Sequence, residues 1–408
     1  MTHAEPAARH AVLAISQLFE DFEYSNPETD RFAIMHYNKA IHQLVQGPPA
    51  SVDTVLLVCI LFICVEFLRG NRAAAITHAR HGLHLLNSAG HNSRLTNTYH
   101  QISVLPTFLM DESVGCPLEK STKEGGDFIF SSTNEAQHAM DDLCFRGVRV
   151  IRAGSPYRLE TPFEDPPQEV YDAQANVLRD LASWKKAFDK LQCTRPPAVR
   201  EDSAALALMA RHYSIRMFVR ECLIKDEMCF DDNKDEFLAT LTWARKTAEI
   251  LETQRKRPTR FIFETGFNTM LHVMVYKCRY LPLRLEGLAL MRRLSSERES
   301  LWDTTVVYSL SRRIVEVEHG IDLSGDYDAN DATLPPSSKR IKGFSFWGKR
   351  EALVWDASSR KTIDFIMESP DGGCMLRNEW LTRQTDKSDW QPTVTRGCPR
   401  GQGTYLPV

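Results

Sequence analysis

Residues 55–68 read VLLVCILFICVEFL, and Glu66 is the one charged side chain among them. A helix that is apolar on every side cannot face water, so this run predicts a helix in the middle of a protein core. The run is shorter than the roughly 20 residues that a membrane-spanning helix needs. We therefore expect the rest of the chain to pack around this segment.

The residues on either side of this run are those that begin and end helices. Ser51 is a typical N-cap, and Gly70 can end a helix in the left-handed conformation. Asn71 can then cap a further helix, and Gly47 to Pro49 end the preceding one. Three consecutive helices are therefore predicted between residues 33 and 87. The third carries a row of small residues that lets a neighbouring helix approach closely: Ala75, Ala79 and Gly82.

Apolar residues recur at helical spacing through most of the chain before residue 320. The clearest example is an amphipathic helix with apolar side chains at Val170, Val177, Leu181, Trp184, Phe188 and Leu191. Further helices are predicted over residues 260–278 and 304–318, and the four prolines of residues 153–168 predict a linker. Short helices joined by short loops indicate an all-α fold, a solenoid-like multi-helix array of α-α hairpins.

The C-terminal part of the sequence has a different pattern. Residues 323–338 are rich in Gly, Asp, Pro and Ser, which predicts an exposed linker. Residues 339–384 contain two or three short apolar runs that predict a small β-rich appendage, which we expect to pack on the helices through Phe346, Trp355 and Phe365. Residues 385–408 predict a disordered tail.

The cysteines exclude one class of metal site. The chain has ten cysteines among 408 residues, and no two of them stand at CxxC spacing or in a basic cluster. Most lie in apolar runs, which is typical of free buried thiols in a reducing compartment. The net charge of −3 also argues against a large nucleic-acid surface.

Two segments resemble a known family. The strings HYNKAI and VLLVCILFICVEFLRGN, with the basic helix that ends in GLHLL, are followed far downstream by ETGFNTMLHVMVYKCR at 264–279 and by ESLWD, which ends at Asp303. In this order they resemble the helical regulatory region of fungal binuclear zinc-cluster transcription factors, over roughly residues 8–320. The resemblance implies a helical regulatory domain over residues 1–322, with sub-blocks at about 8–152 and 168–320. The six-cysteine DNA-binding domain of that family has no counterpart in the cysteine spacing of this chain.

Individual candidates for chemistry all have simpler structural interpretations. His78, His81 and His84 fan over about 120° of one helix, so they do not converge on a metal. Cys59 and Cys64 fall in the most buried helix, where a thiol is inert. Glu66 and Arg69 stand three residues apart and are expected to form an ion pair. Glu264 is placed in an apolar helix, where it either bonds a neighbouring helix end or faces a cavity. The basic clusters 255–257 and 339–342 are read as solvated surfaces rather than nuclear-import signals.

No catalytic, cofactor-binding or metal-binding residue is predicted, because the sequence contains no GxSxG, HExxH or glycine-rich phosphate motif. The resemblance implies a non-enzymatic regulator of transcription in the nucleus, without its own zinc-cluster module. It also implies protein partners, either co-regulators or a homodimer, and leaves room for a small-molecule effector; no membrane association is expected. The alternative is a helical protein-interaction scaffold with no part in transcription. An enzyme with a helical fold is the least favoured reading.

The missing cysteine cluster and the near-neutral charge generate a first prediction. We expect the purified chain to contain no stoichiometric zinc and to show no sub-micromolar binding to random duplex DNA in a shift assay at about 100 mM salt. Metal analysis after purification provides the first measurement. One zinc ion per chain, or a shifted duplex at sub-micromolar protein, would contradict the prediction.

Overall fold

The computed structural model describes residues 5–24, 30–47, 50–89, 94–108, 127–159, 165–196, 202–254, 259–346, 360–370 and 372–383. Within these ranges the chain forms twelve α-helices. They are α1 Pro6–Tyr24, α2 Asp30–Gln46, α3 Val52–Arg69, α4 Arg72–Ala89, α5 Thr96–Phe108, α6 Thr133–Leu159, α7 Gln168–Thr194, α8 Ser203–Glu221, α9 Lys234–Thr253, α10 Phe267–Lys277, α11 Leu281–Leu294 and α12 Thr304–His319. Two 3-10 helices, Glu227–Asn233 and Ser337–Lys339, complete the helical elements of these residues.

The strands form two small sheets. In the first, β1 pairs in parallel with β2, which pairs antiparallel with β3. In the second, the order β4-β5-β6 is antiparallel throughout. The strands are β1 Phe261–Ile262, β2 Arg298–Glu299, β3 Trp302–Asp303, β4 Ile341–Phe346, β5 Arg360–Glu368 and β6 Cys374–Thr382. The predicted all-α array with a small β appendage is confirmed.

Helix α3 is the central buried helix that its sequence predicts. Twelve of its 18 residues are buried. The Ser51 hydroxyl accepts a hydrogen bond from the Thr54 N–H at 3.2 Å, and Gly70 ends the helix with a φ of 66°. The side chain of Asn71 accepts from the Ala74 N–H at 3.2 Å and so begins α4. The predicted caps on both sides of the apolar run are therefore confirmed.

The row of small residues on α4 lets α5 approach closely. A Cβ atom added to Gly82 would lie 2.5 Å from Cε2 of Tyr99, so only glycine fits beneath this ring. The Tyr99 hydroxyl donates a hydrogen bond to the carbonyl of Ala79, one turn earlier on α4. The buried polar end of Tyr99 is thereby satisfied, which an apolar neighbour could not do.

Most helices pack as hairpins with the next helix in the chain. The principal contacts join α1 with α2, α3 with α4, α5 with α6, α8 with α9, and α10 with α11. Helix α7 then packs between α6 and α8. Its predicted apolar stripe is buried, and Trp184 donates a hydrogen bond to the carbonyl of Ala136 on α6 at 2.8 Å.

The predicted linker at residues 153–168 is partly wrong, because α6 continues to Leu159. Pro156 lies in the last turn of the helix, so the backbone N–H that it lacks costs the helix one hydrogen bond near its end. Gly154 packs against the connection that follows α8, since a Cβ atom on Gly154 would stand 2.4 Å from Cδ2 of Leu223. Arg158 then donates to the carbonyl of Ile224 at 2.9 Å, so tertiary contacts extend the helix. Residues 160–164 lie outside the described residues.

The predicted helix over residues 260–278 is also partly wrong. Phe261 and Ile262 form β1, and α10 begins only at Phe267, with Gly266 as its N-cap. The extended stretch exists because β1 pairs with residues 298–299, some 37 positions later in the chain. A local apolar pattern cannot reveal such a distant partner.

The C-terminal sheet packs its inner face on α12. Ile341, Ile363 and Phe365 form one buried cluster with Leu310 and Ile314 of that helix. The predicted contact of Phe365 with the helical body is confirmed, whereas Trp355 and the side chain of Phe346 lie outside the described residues. Strand β6 was not predicted, because several of its apolar side chains face outward: Met375, Leu376 and Trp380.

The segment 323–338 crosses the surface between α12 and the sheet with most of its side chains exposed. Leu323 is buried, and aspartates hold the turns, since Asp328 and Asp331 each accept the backbone N–H two residues later. The predicted disordered tail, residues 385–408, lies outside the described residues and stays a prediction. In the described part of the chain no helix is long and apolar enough to cross a bilayer.

The packing around α3 predicts a difference between two phenylalanines. Phe62 is 4% exposed and packs between α1 and α2, whereas Phe344 on the edge strand β4 is only half-buried. We expect Phe62→Ala to lower the free energy of unfolding by about 3–5 kcal/mol, because the cavity cannot close, and Phe344→Ala to lower it less. Chemical denaturation of both variants measures this difference, and equal losses would contradict a core centred on α3.

Candidate functional site

Several charged side chains are buried together where α10 and the 3-10 helix at 227–233 meet. The carboxylate of Glu227, which is 1% exposed, accepts hydrogen bonds from Nζ of Lys277 and from Nη2 of Arg279, each at 2.9 Å. Arg158, at the end of α6, donates to the same carboxylate. One buried anion therefore binds three cations that come from different parts of the chain.

A second buried carboxylate, Glu318 of α12, extends this cluster. It accepts a hydrogen bond from Arg279 at 3.3 Å and another from Arg284 of α11. It also accepts the backbone N–H of Ile341 at 2.7 Å, which attaches β4 to the helices. Arg279 lies between the two carboxylates and joins them.

A third carboxylate, that of Asp231, extends the cluster toward the surface. Both terminal nitrogens of Arg340 donate to the carboxylate of Asp231 at 2.8 Å. Arg340 is 1% exposed and Lys342 is 8% exposed, so the reading of the basic run 339–342 as a solvated surface is wrong at these two positions. We call the eight ionisable side chains the buried charge cluster: Glu227, Glu318, Asp231, Arg158, Lys277, Arg279, Arg284 and Arg340.

The pKa shifts in the buried charge cluster reflect its excess of cations over carboxylates. Burial alone would raise the pKa of Glu227, but Lys277, Arg279 and Arg158 together lower it to about 2. Burial lowers the pKa of Lys277 to about 7, against the attraction of Glu227 and with the help of the two neighbouring guanidiniums. Glu227 therefore stays ionised at neutral pH, while Lys277 is the cation that the cluster needs least.

A cavity of about 130 Å³ lies on the other side of α10, bordered by α5, α6, α8, β3 and β4. Its wall is mostly apolar, with side chains that include Val104, Val148, Ile151, Ile215, Phe218 and Phe344. The cavity thus touches both predicted sub-blocks, 8–152 and 168–320, as well as the β appendage. Its polar wall residues are the ones that decide what it can bind.

His272 of α10 is one of these polar wall residues, and its tautomer follows from its neighbours. The Ser311 hydroxyl donates to the carbonyl of Val307 at 2.8 Å. The same hydroxyl lies 2.8 Å from Nδ1 of His272, so it accepts a hydrogen bond from the N–H at that nitrogen. Burial lowers the pKa of His272 to about 3, which keeps the ring neutral. Nε2 is then a hydrogen-bond acceptor, and it is buried without a partner in the described structure.

Two further wall residues carry buried polar atoms that have no partner among the described residues. They are Nε1 of Trp302, which can only donate, and the hydroxyl of Thr269. Arg211 also borders the cavity. It donates a hydrogen bond to the buried carboxylate of Asp141 at 2.7 Å, and that carboxylate balances its charge. The unpartnered atoms of His272, Trp302 and Thr269 are themselves enclosed by protein, so they are not presented to the space of the cavity.

Glu264 lies in the bend before α10 rather than in the predicted helix, and it accepts a hydrogen bond from Gln101 of α5. The start of α10 is held instead by Glu299, whose carboxylate accepts the N–H groups of Gly266 and Asn268 at 3.1 Å. Burial raises the pKa of Glu299 to about 8, although these N–H groups oppose the shift. A Cβ atom on Gly266 would stand 2.8 Å from this carboxylate, which explains the glycine.

The remaining sequence candidates occupy structural positions. Arg69 contacts Glu66 at 3.0 Å, so the predicted ion pair forms. His78 lies 2.9 Å from the Tyr37 hydroxyl, while His81 and His84 are exposed and do not meet it. Burial raises the pKa of the thiols of Cys59 and Cys64 to about 11 and about 12. Among the described residues no group of three or more potential ligands could hold a metal ion.

Sequence reasoning missed both the buried charge cluster and the cavity. The signal that could have found them is the occurrence of Lys277 and Arg279 at the end of an apolar helix, where a solvated charge is not expected. The segments 264–279 and 299–303, which carry the family resemblance, contain His272 and Trp302. Their cavity-facing role depends on the fold and is not visible in the spacing.

The wall of the cavity is mostly apolar. A mostly apolar wall with a few polar groups is the usual composition of a small-molecule site.

Part of this chain is similar to a known fungal protein. The chain is 25% identical over 218 aligned residues to the "Aspercryptin biosynthesis cluster-specific transcription regulator atnN" of Emericella nidulans. The alignment covers 45% of this chain and 35% of that protein, so the chain spans about a third of its relative's length. No family model and no solved structure matches the chain.

The buried charge cluster predicts unequal effects of two substitutions. Glu227→Gln removes the anion that binds three cations and should cost several kcal/mol of unfolding free energy, about 3–5, because it leaves buried charges uncompensated. Lys277→Met keeps the buried side-chain volume, and Arg158 and Arg279 still neutralise Glu227, so we expect a loss below about 1.5 kcal/mol. Urea denaturation at pH 7 measures both. A larger loss for Lys277→Met than for Glu227→Gln would contradict the charge balance described here.

Proposed function

We propose that this chain is the regulatory module of a transcription regulator of the fungal zinc-cluster type and that it catalyses no reaction. The observation that carries the proposal is the similarity to a cluster-specific transcription regulator of Emericella nidulans. The all-helical array with its central buried helix is the architecture that the family resemblance of residues 8–320 implies.

We also propose that the chain is located in the nucleus and that the DNA binding comes from outside the described helices. The cysteine spacing of this chain does not provide a six-cysteine zinc cluster, and its net charge of −3 does not favour direct duplex binding. A partner protein, either a co-regulator or a related regulator, would then bind the DNA. The chain's own contribution is then to switch or modulate the activity of the assembly.

A reporter experiment tests the proposal. The full chain is fused to a heterologous DNA-binding domain that is inactive alone, and expression of a reporter gene is measured in fungal cells. We expect the fusion to change reporter output several-fold relative to the DNA-binding domain, and the unfused chain to accumulate in nuclei. An unchanged reporter together with a cytoplasmic chain would favour the interaction scaffold instead.

A matched pair of variants separates a specific effect from mere fusion. Phe67 is fully buried in the main core, so Phe67→Asp places an unpaired charge there and should abolish the reporter effect. Lys39→Asp introduces the same side chain at an exposed position of α2 and should retain the effect. Immunoblots of both fusions show whether their levels differ. Equal reporter output from both variants at equal protein level would contradict a role for the folded module.

A further inference from the structure

Strand β6 lies at the edge of its sheet and carries exposed apolar side chains. Leu376 is 66% exposed and Trp380 is 60% exposed, although an edge strand is usually protected by charges or by a covering element. The sheet order is β4-β5-β6, so no other described strand pairs with β6 on the side away from β5. An apolar edge of this kind can bind a further strand.

The ladder between β5 and β6 shows which backbone groups of β6 point outward. At the hairpin end, the N–H of Ser369 donates to the carbonyl of Gly373 at 3.0 Å. Hydrogen-bonded and non-hydrogen-bonded pairs alternate along an antiparallel ladder, so the even-numbered residues of β6 turn their N–H and C=O groups away from β5. The carbonyl of Thr382 fits this assignment, since it accepts a hydrogen bond from Ser309 of α12 at 3.1 Å. The backbone groups of the even positions 376 to 380 are therefore directed outward.

The sequence of this edge is complementary to itself in the antiparallel direction. From Leu376 to Trp380 it reads Leu, Arg, Asn, Glu, Trp, with Asn378 at the centre. When two copies pair about Asn378, Leu376 lies opposite Trp380 of the partner subunit. Arg377 then lies opposite Glu379 of the partner subunit. Apolar side chains meet apolar ones and each cation meets an anion, and such cross-strand pairs stabilise a sheet. A parallel pairing in register would instead place the two copies of Arg377 against each other.

The two charged side chains are positioned for this contact. Arg313 of α12 donates to the carboxylate of Glu379 at 2.7 Å, and Arg377 donates to the same carboxylate at 2.7 Å. Burial raises the pKa of Glu379, but the two guanidiniums outweigh that effect and lower it. Glu379 is therefore an ionised group that α12 holds in place. The side chain of Arg377 is 45% exposed and can reach a second carboxylate.

We propose that β6 pairs with β6 of a second copy of this chain, so that two three-stranded sheets join into one across a two-fold axis at Asn378. Each subunit contributes the same surface, as a two-fold interface requires. The paired stretch is short, so we expect a reversible dimer with a dissociation constant on the order of 10 μM. The inference does not depend on the proposed role in transcription, because association is measured on the isolated protein.

Sedimentation velocity of the full chain at about 1 to 100 μM tests the proposal. We expect a species with twice the mass of one chain to increase over this range. A monomer at the highest concentration would overturn the proposal, whether the edge stays open or residues 384–408 of the same chain cover it. Assemblies that keep growing beyond the dimer would also overturn it, because a two-fold contact closes on itself.

Two lysine substitutions locate the contact. Trp380→Lys removes the ring that lies opposite Leu376 of the partner subunit, at both ends of the paired stretch. It should raise the dissociation constant about tenfold or more. Leu238→Lys is the matched control, because Leu238 is 45% exposed on α9, which packs on α8 and α11, and it should dimerise as the wild type does. Circular dichroism establishes that both variants fold. Unchanged dimerisation of folded Trp380→Lys, or an equal loss in Leu238→Lys, would overturn the proposal.

A cysteine cross-link tests the register and does not depend on the lysine variants. Asn378→Cys places two thiols opposite each other at the two-fold axis, where the Cα atoms of a hydrogen-bonded pair lie about 5.5 Å apart and a disulfide can form. Leu376→Cys is the control on the same face of β6. Its two copies would lie four residues apart along the strand, about 13 Å, which is too far for a disulfide.

We expect mild oxidation to cross-link Asn378→Cys into a dimer and to leave Leu376→Cys at the level of the wild type. The wild type measures the background from native cysteines such as Cys193, which is exposed. Cross-linking of Asn378→Cys that stays at this background would overturn the proposal. Equal cross-linking of the two variants would do so as well, because it would show that the strands do not pair about Asn378.

Discussion

Two carboxylates inside the protein, those of Glu227 and Glu318, must remain ionised and fully paired. Each is 1% exposed, and an ionised carboxylate at that depth is tolerated only when cations and N–H groups surround it. Their partners come from α6, α10, α11 and β4, so the relative positions of these elements are fixed by a single electrostatic requirement. Removing one partner from such a buried pair leaves an uncompensated charge, so each of these contacts constrains the elements that carry it.

The parts of the fold that the sequence predicts are those whose cause is local. The caps at Ser51, Gly70 and Asn71 and the stripe of α7 depend on residues within one or two helical turns, and they lie where expected. The short sheet of β1, β2 and β3 depends on pairing between segments far apart in the chain, and no local apolar periodicity in the sequence indicates it. The prediction of a linker at 153–168 was partly wrong for the same reason, since the contacts that extend α6 come from residues near 223. Of the candidate site, the sequence revealed the segments but not the cavity between them.

Helix α10 connects the two interior features. His272 borders the cavity, and Lys277 enters the buried charge cluster little more than one turn later. Tyr276 belongs to both, because it lines the cavity and its ring centroid lies 4.0 Å from Nζ of Lys277. The two interior features therefore share one side chain of α10.

The sequence separations within the buried charge cluster determine when it can form during synthesis. Arg158 and Glu227 are 69 residues apart, and Arg340 and Asp231 are 109 residues apart. The helical hairpins near the N-terminus need only neighbouring residues, so they can assemble while the remainder of the chain is still on the ribosome. The carboxylate of Glu227 stays hydrated until α10 has been synthesised. The carboxylate of Glu318 stays hydrated until β4 has been synthesised. A transcript that ends before residue 340 would thus yield a chain whose hairpins are complete but whose central anions can never be properly enclosed.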